Sequence, residues 1–297
     1  MIVQPTDGIK PILAVIENAA KSLDLMIFRF DLKEVEKAIE AASNRGVVVR
    51  ALIAHTNAKG EKQLRQLEQR LLNAGIIVAR TADDLVRYHG KAMIVDREEL
   101  YVFGFNFTKI DLKSRSFGLV TRDRGRVQDA LKLFEADSNR QEFEPAAEGL
   151  VVSPENAREQ LATFIKRTKK QLAIYDEKLT DPQMLRLLNQ RAKAGVDVRI
   201  IGKVSKRGAG LKAQKMVGMR QHIRAMIRDG DTAFVGSQSL RAQELDARRE
   251  VGLIVKDAKV VKVLLESFES DWAKTDLGQK EIKIAVKEQA VAEEVAS

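Results

Sequence analysis

The sequence predicts an α/β protein made of two duplicated α/β sandwich halves, whose sheets we expect to be mixed and largely parallel. Helix-like and strand-like segments alternate along the 297 residues, which is typical of α/β folds. The chain also repeats itself, and its hydrophobic content of 44% is ample for a packed core. The repeat further predicts that the halves are related by a pseudo-two-fold axis.

The repeat begins with a helix, a strand, a helix and a strand in each half, over residues 15–54 and 164–203. A constant offset of 149 residues pairs Gly46 with Gly195. Each glycine stands where a helix should end, just before an apolar strand. Both halves should therefore share one fold.

Later segments match at a smaller offset. YHGKAMIVD and QHIRAMIRD align at 133 residues, and RSFGLVTRD and REVGLIVKD at 134. The first half thus carries 16 more residues, where EKQLRQLEQRLLNAGIIVA predicts an extra helix and strand. We place the halves at 1–147 and 148–275, joined by EFEPAAEG, and expect the charged tail 276–297 to be a frayed helix or a disordered end.

Composition limits the function and the setting. The net charge of +9 favours anionic partners, which include phosphate esters, nucleic acid and an acidic membrane surface. The absence of cysteine excludes disulfides, thiolate chemistry and cysteine metal sites. No apolar run approaches the ~18 residues of a membrane span, and we do not expect the start, MIVQPTDGIKPIL, to be a secretory signal. We expect a protein that is cytoplasmic or peripheral to a membrane, or secreted if a leader has been removed.

Two copies of one motif point to phosphate chemistry. From His89 the sequence reads H-x-K-x4-D, and from His222 it reads H-x-R-x4-D. Both segments are apolar enough to be strands, where residues two apart share a face. His89 should then point the same way as Lys91, and His222 the same way as Arg224. A histidine beside a cation on one strand face predicts a phosphate site.

We expect a different role for the aspartates that close the motifs. Asp96 and Asp229 fall on the opposite strand face, near the strand end. We expect them to support the site structurally.

The two motifs resemble the signature of the phospholipase D superfamily, H-x-K-x4-D followed by G-S-x-N, usually present twice per active site. The resemblance extends to about Thr275, since the flanking α/β pattern is similar as well. It implies a phosphodiesterase that hydrolyses or transfers the phosphatidyl group of phospholipids through a phosphohistidine. It also implies that no metal or other cofactor is needed and that a monomer can complete the site.

The resemblance implies roles for the motif residues. We expect His89, whose motif matches the family better, to be the nucleophile, and His222 to protonate the leaving alcohol and then act as base. The reverse division is the alternative. Lys91 and Arg224 would supply the fixed cations that phosphate oxygens need. Arg224 stands where the family has lysine, and a planar fork replaces a compact ammonium.

The segments after the motifs match the family in part. Residues 103–106, FGFN, keep only Asn106 of G-S-x-N, whereas residues 236–239, GSQS, keep the glycine and Ser237. Together Asn106 and Ser237 could complete one set of hydrogen bonds to phosphate. Glu250 stands where the family has an acid that orients the histidine of its own half, which here is His222. Ser116 takes that place in the first half.

Other functions remain open at this point. The same motifs occur in metal-independent endonucleases, so nucleic acid is an alternative substrate, and a non-catalytic phosphate- or membrane-binding module is a third reading. Two motifs in one chain favour the lipid branch, which includes cardiolipin synthases. The low aromatic content of 5% also argues against base stacking. His55, at the end of a predicted strand, either faces the site or is solvated.

Overall fold

The computed structural model describes residues 1–28, 30–55 and 61–296. In the first half, strands and helices alternate as the sequence predicts, including the extra helix and strand at α3 and β4. The elements are β1 (Ile2–Gln4), α1 (Lys10–Asn18), β2 (Ser22–Ile27), α2 (Lys33–Asn44), β3 (Val48–Ile53), α3 (Glu61–Asn73), β4 (Ile77–Arg80), β5 (Arg87–Tyr88), β6 (Ala92–Val95), β7 (Glu99–Phe103), a 3-10 turn (Asp111–Lys113), β8 (Ser116–Thr121) and α4 (Arg124–Asn139).

The second half repeats this order with a shorter insertion. Its elements are β9 (Leu150–Ser153), α5 (Ala157–Lys166), β10 (Gln171–Leu179), α6 (Pro182–Lys193), β11 (Asp197–Val204), a 3-10 turn (Lys206–Gly208), β12 (Lys212–Gln214), β13 (Arg224–Arg228), β14 (Thr232–Gly236), α7 (Ala242–Asp246), β15 (Arg248–Val255), α8 (Ala258–Trp272) and α9 (Asp276–Ala296). The boundary predicted at 147 lies in the irregular segment between α4 and β9. The charged tail is helical as α9, and Trp272 donates to Glu281 at 2.9 Å (Nε1 to Oε2).

Each half contributes one mixed sheet. The first has the order β1-β8-β7-β6-β2-β3-β4, and the second has the order β12-β11-β10-β13-β14-β15-β5, with β9 also paired to β15. The α/β class is confirmed. The expectation of largely parallel sheets is corrected, because antiparallel pairs outnumber parallel ones, four to two in the first sheet and four to three in the second, among the described strands.

The reason for the antiparallel majority is local. Three residues, 96–98, separate β6 from β7, and residues 229–231 separate β13 from β14. A connection that short can only join antiparallel neighbours, since parallel strands need a crossover of a dozen or more residues. The helices α2 and α6 form long crossovers, and they make the β2–β3 and β10–β11 pairs parallel.

Alternation along the strands distributes apolar side chains to both faces of each sheet. In β6, Ala92 and Ile94 face a central core, whereas Met93 and Val95 face an outer one. The outer cores are covered by α1–α3 in the first half and by α5 and α6 in the second. The central core lies between the sheets and includes α4 and α8. The two halves therefore share one interior.

Reciprocal ion pairs cross the junction between the halves. Arg115 Nε donates to Asp271 Oδ2 at 2.7 Å, and Arg249 Nη2 lies 3.0 Å from Asp137 Oδ1. All four side chains are buried. An offset of 134 residues relates Arg115 to Arg249 and Asp137 to Asp271. This exchange of equivalent contacts is what a pseudo-two-fold relation requires.

We expect removal of one partner of these pairs to destabilise the protein. Asp271→Ala would leave the Arg115 guanidinium and the Tyr175 hydroxyl, which donates to Asp271 at 2.8 Å, buried without their acceptor. The loss in the free energy of unfolding should be about 3 kcal/mol, measured by urea denaturation. As a control, Glu266→Ala removes an exposed pair with Lys262 and should change it by less than about 0.5 kcal/mol. Equal small losses in both variants would contradict a structural role for the buried pair.

Candidate active site

Both motif histidines lie just outside their strands, and this corrects the expectation that they stand on them. His89 lies between β5 and β6, and the segment before it joins the opposite sheet, where Tyr88 pairs with Arg249 of β15. The His89 backbone N–H donates to the Arg249 carbonyl at 2.7 Å. The chain leaves its own sheet at this point because its hydrogen-bond partner belongs to the other half.

The second histidine is held by the equivalent contact. Arg115 and Gln221 form a parallel bridge between the halves, and the His222 N–H donates to the Arg115 carbonyl at 3.2 Å. Each histidine is thus anchored by the half to which it does not belong. Both are 8% exposed, so they are buried near the junction yet retain some access to solvent.

His89 has a defined set of neighbours. Its Nδ1 lies 2.8 Å from Oε2 and 3.1 Å from Oε1 of Glu250, whose side chain is fully buried. Its Nε2 lies 3.1 Å from Nζ of Lys91. The Phe28 ring packs edge-on against the imidazole, with 4.5 Å between ring centroids. Glu250 accepts from Nδ1–H, which leaves the Nε2 lone pair directed towards Lys91.

This contact corrects the expectation that Glu250 orients His222. The acid serves the histidine of the other half because it follows Arg249, the residue that pairs with Tyr88. The pairing of β15 with β5 therefore delivers the carboxylate to His89. In the first half, Ser116 occupies the equivalent place, and its buried hydroxyl has no hydrogen-bond partner among the described residues.

Asp111, which sequence reasoning missed, faces His222. Its Oδ1 lies 3.3 Å from His222 Nδ1 and also accepts from Arg220 Nη1 at 2.7 Å. His222 Nδ1 makes no hydrogen bond within the described chain, so this histidine is held more loosely than His89. The sequence did contain a signal for this residue. An offset of 133 pairs Asp111 with Glu244, so both halves carry an acidic residue at this position of the repeat.

Asn106 and Ser237 lie beside these carboxylates. Asn106 Nδ2 donates to Asp111 Oδ2 at 2.7 Å. Burial raises the pKa of Glu250, and Lys91 and Ser237 act against this rise. Ser237 Oγ accepts from the backbone N–H of Val251, the residue after Glu250, at 3.2 Å. The structure thus places both residues where they position the acids that face the histidines. Direct hydrogen bonds from these residues to phosphate stay a prediction.

The motif cations are buried with the histidines. Lys91 is 4% exposed and Arg224 is 5% exposed. Arg224 Nη2 lies 3.5 Å from Glu177 Oε2, and its Nε has no hydrogen-bond partner among the described residues. An incompletely satisfied guanidinium and a buried ammonium are suited to an anion that brings the missing acceptors.

Burial and the two cations set the protonation of the site. Burial lowers the pKa of His222 to about 3, with Arg224 and Lys91 adding to the effect and Asp111 opposing it. Burial, Lys91 and Arg224 likewise hold the pKa of His89 well below its ordinary value. Burial also lowers the pKa of Lys91 to about 7. Each histidine senses the cation of the other half, so the four motif side chains form one electrostatic cluster.

Asp96 and Asp229 lie at the far ends of the motif strands. Asp96 accepts from the backbone N–H groups of residues 20–22, and Asp229 from those of residues 169–171. Each carboxylate thus ties a hairpin turn to the start of the neighbouring strand. The structure brings neither to the histidines.

His55, the third histidine of the chain, is half-buried, and its backbone N–H donates to Thr81 Oγ1 at 3.0 Å.

Two further observations concern the described residues alone. They include no group of three or more histidine, aspartate or glutamate side chains arranged to hold a metal ion. None of their helices is both long enough and apolar enough to cross a bilayer.

The fold and the paired motifs agree with a comparison to protein families. The model of the cardiolipin synthase, PLD-like domain matches residues 12–138 and 161–272. The chain therefore belongs to the phospholipase D superfamily. No curated protein matches it.

Solved structures show the same fold at low sequence identity. Phosphatidylserine synthase from Haemophilus influenzae Rd KW20 is 12% identical, with a TM-score of 0.68 over 95% of this chain and 91% of that one. Polyphosphate kinase from Porphyromonas gingivalis is 17% identical, with a TM-score of 0.74 over 90% of this chain. The match covers 49% of the kinase, so this chain spans about half of its length.

The pKa of Lys91 predicts how anion binding depends on pH. At pH values above about 7 the free ammonium loses its proton, and a bound dianion would restore it. Sulfate, which does not titrate in this range, should bind with uptake of a proton. Its affinity should fall between pH 7 and 9, approaching about tenfold per pH unit. Calorimetry in buffers of different ionisation enthalpy measures both quantities.

Lys91→Arg provides the control, since arginine stays charged throughout this range. The part of the proton uptake and of the fall in sulfate affinity that comes from Lys91 should disappear in this variant. An unchanged pH dependence would show that another group takes up the proton.

Proposed function

We propose that the chain is a phosphodiesterase of the phospholipase D type, which hydrolyses or transfers the phosphatidyl group of phospholipids through a phosphohistidine on His89. The contact of both Glu250 carboxylate oxygens with His89 Nδ1 carries this proposal. A buried carboxylate on Nδ1 fixes the tautomer and keeps Nε2 basic. Neutral imidazole in that state is a competent nucleophile near pH 7.

In the first step, Nε2 of His89 attacks phosphorus. The N–P bond forms as the bond between phosphorus and the leaving alcohol oxygen breaks, and a proton from His222 passes to that oxygen. Lys91 Nζ, now 3.1 Å from Nε2, turns to a phosphate oxygen, and Arg224 binds another. Glu250 stabilises the imidazole, which gains positive charge as the bond forms.

In the second step, water or an acceptor alcohol attacks the phosphohistidine. Neutral His222 takes the proton from the attacking oxygen, the new P–O bond forms, and the N–P bond breaks. His89 returns to its neutral form and His222 is again protonated. Water gives hydrolysis, and an alcohol gives transfer.

His222 needs its proton before the first step, although its pKa is about 3 in the free protein. Two of the causes that lower this pKa are the charges of Arg224 and Lys91. A phosphodiester bound between these cations neutralises them in part and raises the pKa of the imidazole. Substrate binding thus prepares the acid, and Asp111 stabilises the imidazolium.

Two further observations favour a phospholipid as the substrate. The matching family model describes a cardiolipin synthase domain, and the phosphatidylserine synthase shares the fold over nearly its full length. In addition, three exposed apolar side chains, Val86, Ile110 and Val217, lie in loops that carry or precede site residues. Apolar groups on these loops would contact the acyl region of a membrane interface.

The test traps the covalent adduct. With a phosphodiester carrying a p-nitrophenyl leaving group, His222→Ala should still form a phosphohistidine, because a good leaving group needs no protonation. His89→Ala should form none, and both variants should lose turnover of phosphatidylcholine and phosphatidylglycerol by at least about a thousandfold. Intact-mass spectrometry under alkaline quench detects the adduct, and all incubations contain a chelator.

Each alternative has its own outcome. An adduct in His89→Ala and not in His222→Ala would reverse the two roles. Cleavage of plasmid DNA in chelator, without release of lipid headgroup, would make the protein an endonuclease. Phosphate binding without any adduct or turnover would leave a binding module and overturn the proposal.

A further inference from the structure

A cleft of about 420 Å³ opens beside the second motif. Its lining includes Gln221, which precedes His222, and Glu177, whose carboxylate faces Arg224 at 3.5 Å. It therefore lies next to the active site, on the side of the second half. Lys178, Lys203 and Lys215 also line it.

These three lysines are exposed, and none has an ion-pair or hydrogen-bond partner for its ammonium group among the residues that the structure describes. Lys178 and Lys203 are register partners on the parallel strands β10 and β11. Like charges placed directly opposite each other on neighbouring strands are destabilising. An anion bound between them would remove this repulsion.

The equivalent surface of the first half differs at two described positions. The offset of 149 residues places Phe28 where the second half has Glu177, and Ala54 where it has Lys203. Phe28 packs against His89, and Ala54 is buried in the outer core. Among the described residues, Glu177 and Lys203 of the cleft thus have no charged counterpart beside His89.

We propose that this cleft binds a second phosphate, carried by the alcohol that leaves or accepts the phosphatidyl group. This proposal rests on the proposed function, because it assumes an in-line displacement. In that displacement His89 attacks phosphorus, and His222 exchanges a proton with the alcohol. Nucleophile and leaving group lie on opposite sides of phosphorus in such a displacement. The alcohol therefore enters the side of His222, where Lys178, Lys203 and Lys215 lie. The substrate class is a phosphodiester of a phosphorylated alcohol.

The lining favours a small phosphorylated alcohol over a nucleic-acid strand. A strand would also bring a second phosphate, but single-strand sites combine cations with aromatic side chains that stack on bases. Met216 and Met219 are the apolar members of the described lining, and it includes no aromatic side chain. The basic groups alone are suited to a phosphate monoester, which binds lysine as a point charge.

The test compares two ligands that differ by one phosphate, 1,3-propanediol bisphosphate and propyl phosphate. Calorimetry at fixed ionic strength should show that the bisphosphate binds at least about tenfold more tightly to the wild-type protein. Simultaneous replacement of Lys178, Lys203 and Lys215 by Gln should abolish that advantage and leave the affinity for propyl phosphate within about twofold.

A matched control corrects for net charge. Lys10, Lys33 and Lys37 are exposed on α1 and α2, and their replacement by Gln removes the same three charges from the outer layer of the first half. This triple variant should keep the advantage of the bisphosphate. Equal losses in both triple variants, or no advantage in the wild type, would overturn the second phosphate site.

Binding and chemistry can fail separately in this design. A bisphosphate advantage that depends on the cleft lysines, in a protein that forms no phosphohistidine, would support the cleft and overturn the proposed mechanism. The reverse pattern would overturn the cleft alone. A thymidine oligomer that binds more tightly than the bisphosphate, through the same lysines, would identify a nucleic-acid strand and contradict the proposed alcohol.

Discussion

The exchange of backbone pairing between the two halves is the constraint on which the site depends. Tyr88 pairs with Arg249, and Gln221 pairs with Arg115, so each histidine is held by a segment of the opposite half. Hydrogen bonds at 2.7 Å and 3.2 Å then fix the backbone of both histidines. Without this exchange the motifs would lie at the ends of two separate sheets.

The side chains of Arg115 and Arg249 also stabilise this exchange. Their guanidinium groups cross the junction to buried aspartates, Asp271 and Asp137, while their carbonyls accept from the histidines. Burying four charges is unfavourable unless the pairs are well made, so the geometry of the junction is closely determined. Glu250 follows Arg249 directly, and the pairing therefore sets its distance to His89. Folding of the interface and orientation of His89 are consequences of one contact.

The site holds two cations in a buried position, which is unfavourable without an anion. Lys91 and Arg224 are buried close to two imidazoles whose pKa values they lower. A phosphate group is the chemical complement of this arrangement, because it supplies the acceptors and the negative charge that the cluster lacks. In the proposed mechanism, binding energy from the anion would supply the protonation of His222. The loosely held His222 and the tightly held His89 are suited to different tasks.

Much of this architecture could be predicted from the sequence, because the repeat and the motifs are local patterns. These patterns are enough to predict the histidines, their cations and the extra α3–β4 unit. The partner of Glu250 could not be predicted, since it depends on how one half pairs with the other, and an alignment of the halves to each other does not contain that register. Asp111 was missed for a related reason. It lies five residues after Asn106, outside the motif, and the position equivalent to Glu250 holds Ser116, which carries no carboxylate.

The alternation of helices and strands does not determine the direction of strand pairing, because the short turns at 96–98 and 229–231 make their flanking strands antiparallel. Turn length determines the pairing direction more directly than alternation does.

The central claim is that each carboxylate orients the histidine of the opposite half. The chain contains only three histidines, so ¹⁵N-histidine NMR can observe each ring separately. Glu250→Gln should shift the ring nitrogen resonances of His89 and leave those of His222 unchanged, and Asp111→Asn should do the reverse. A shift of His222 and not of His89 in Glu250→Gln would show that each half orients its own histidine, and would contradict the exchange.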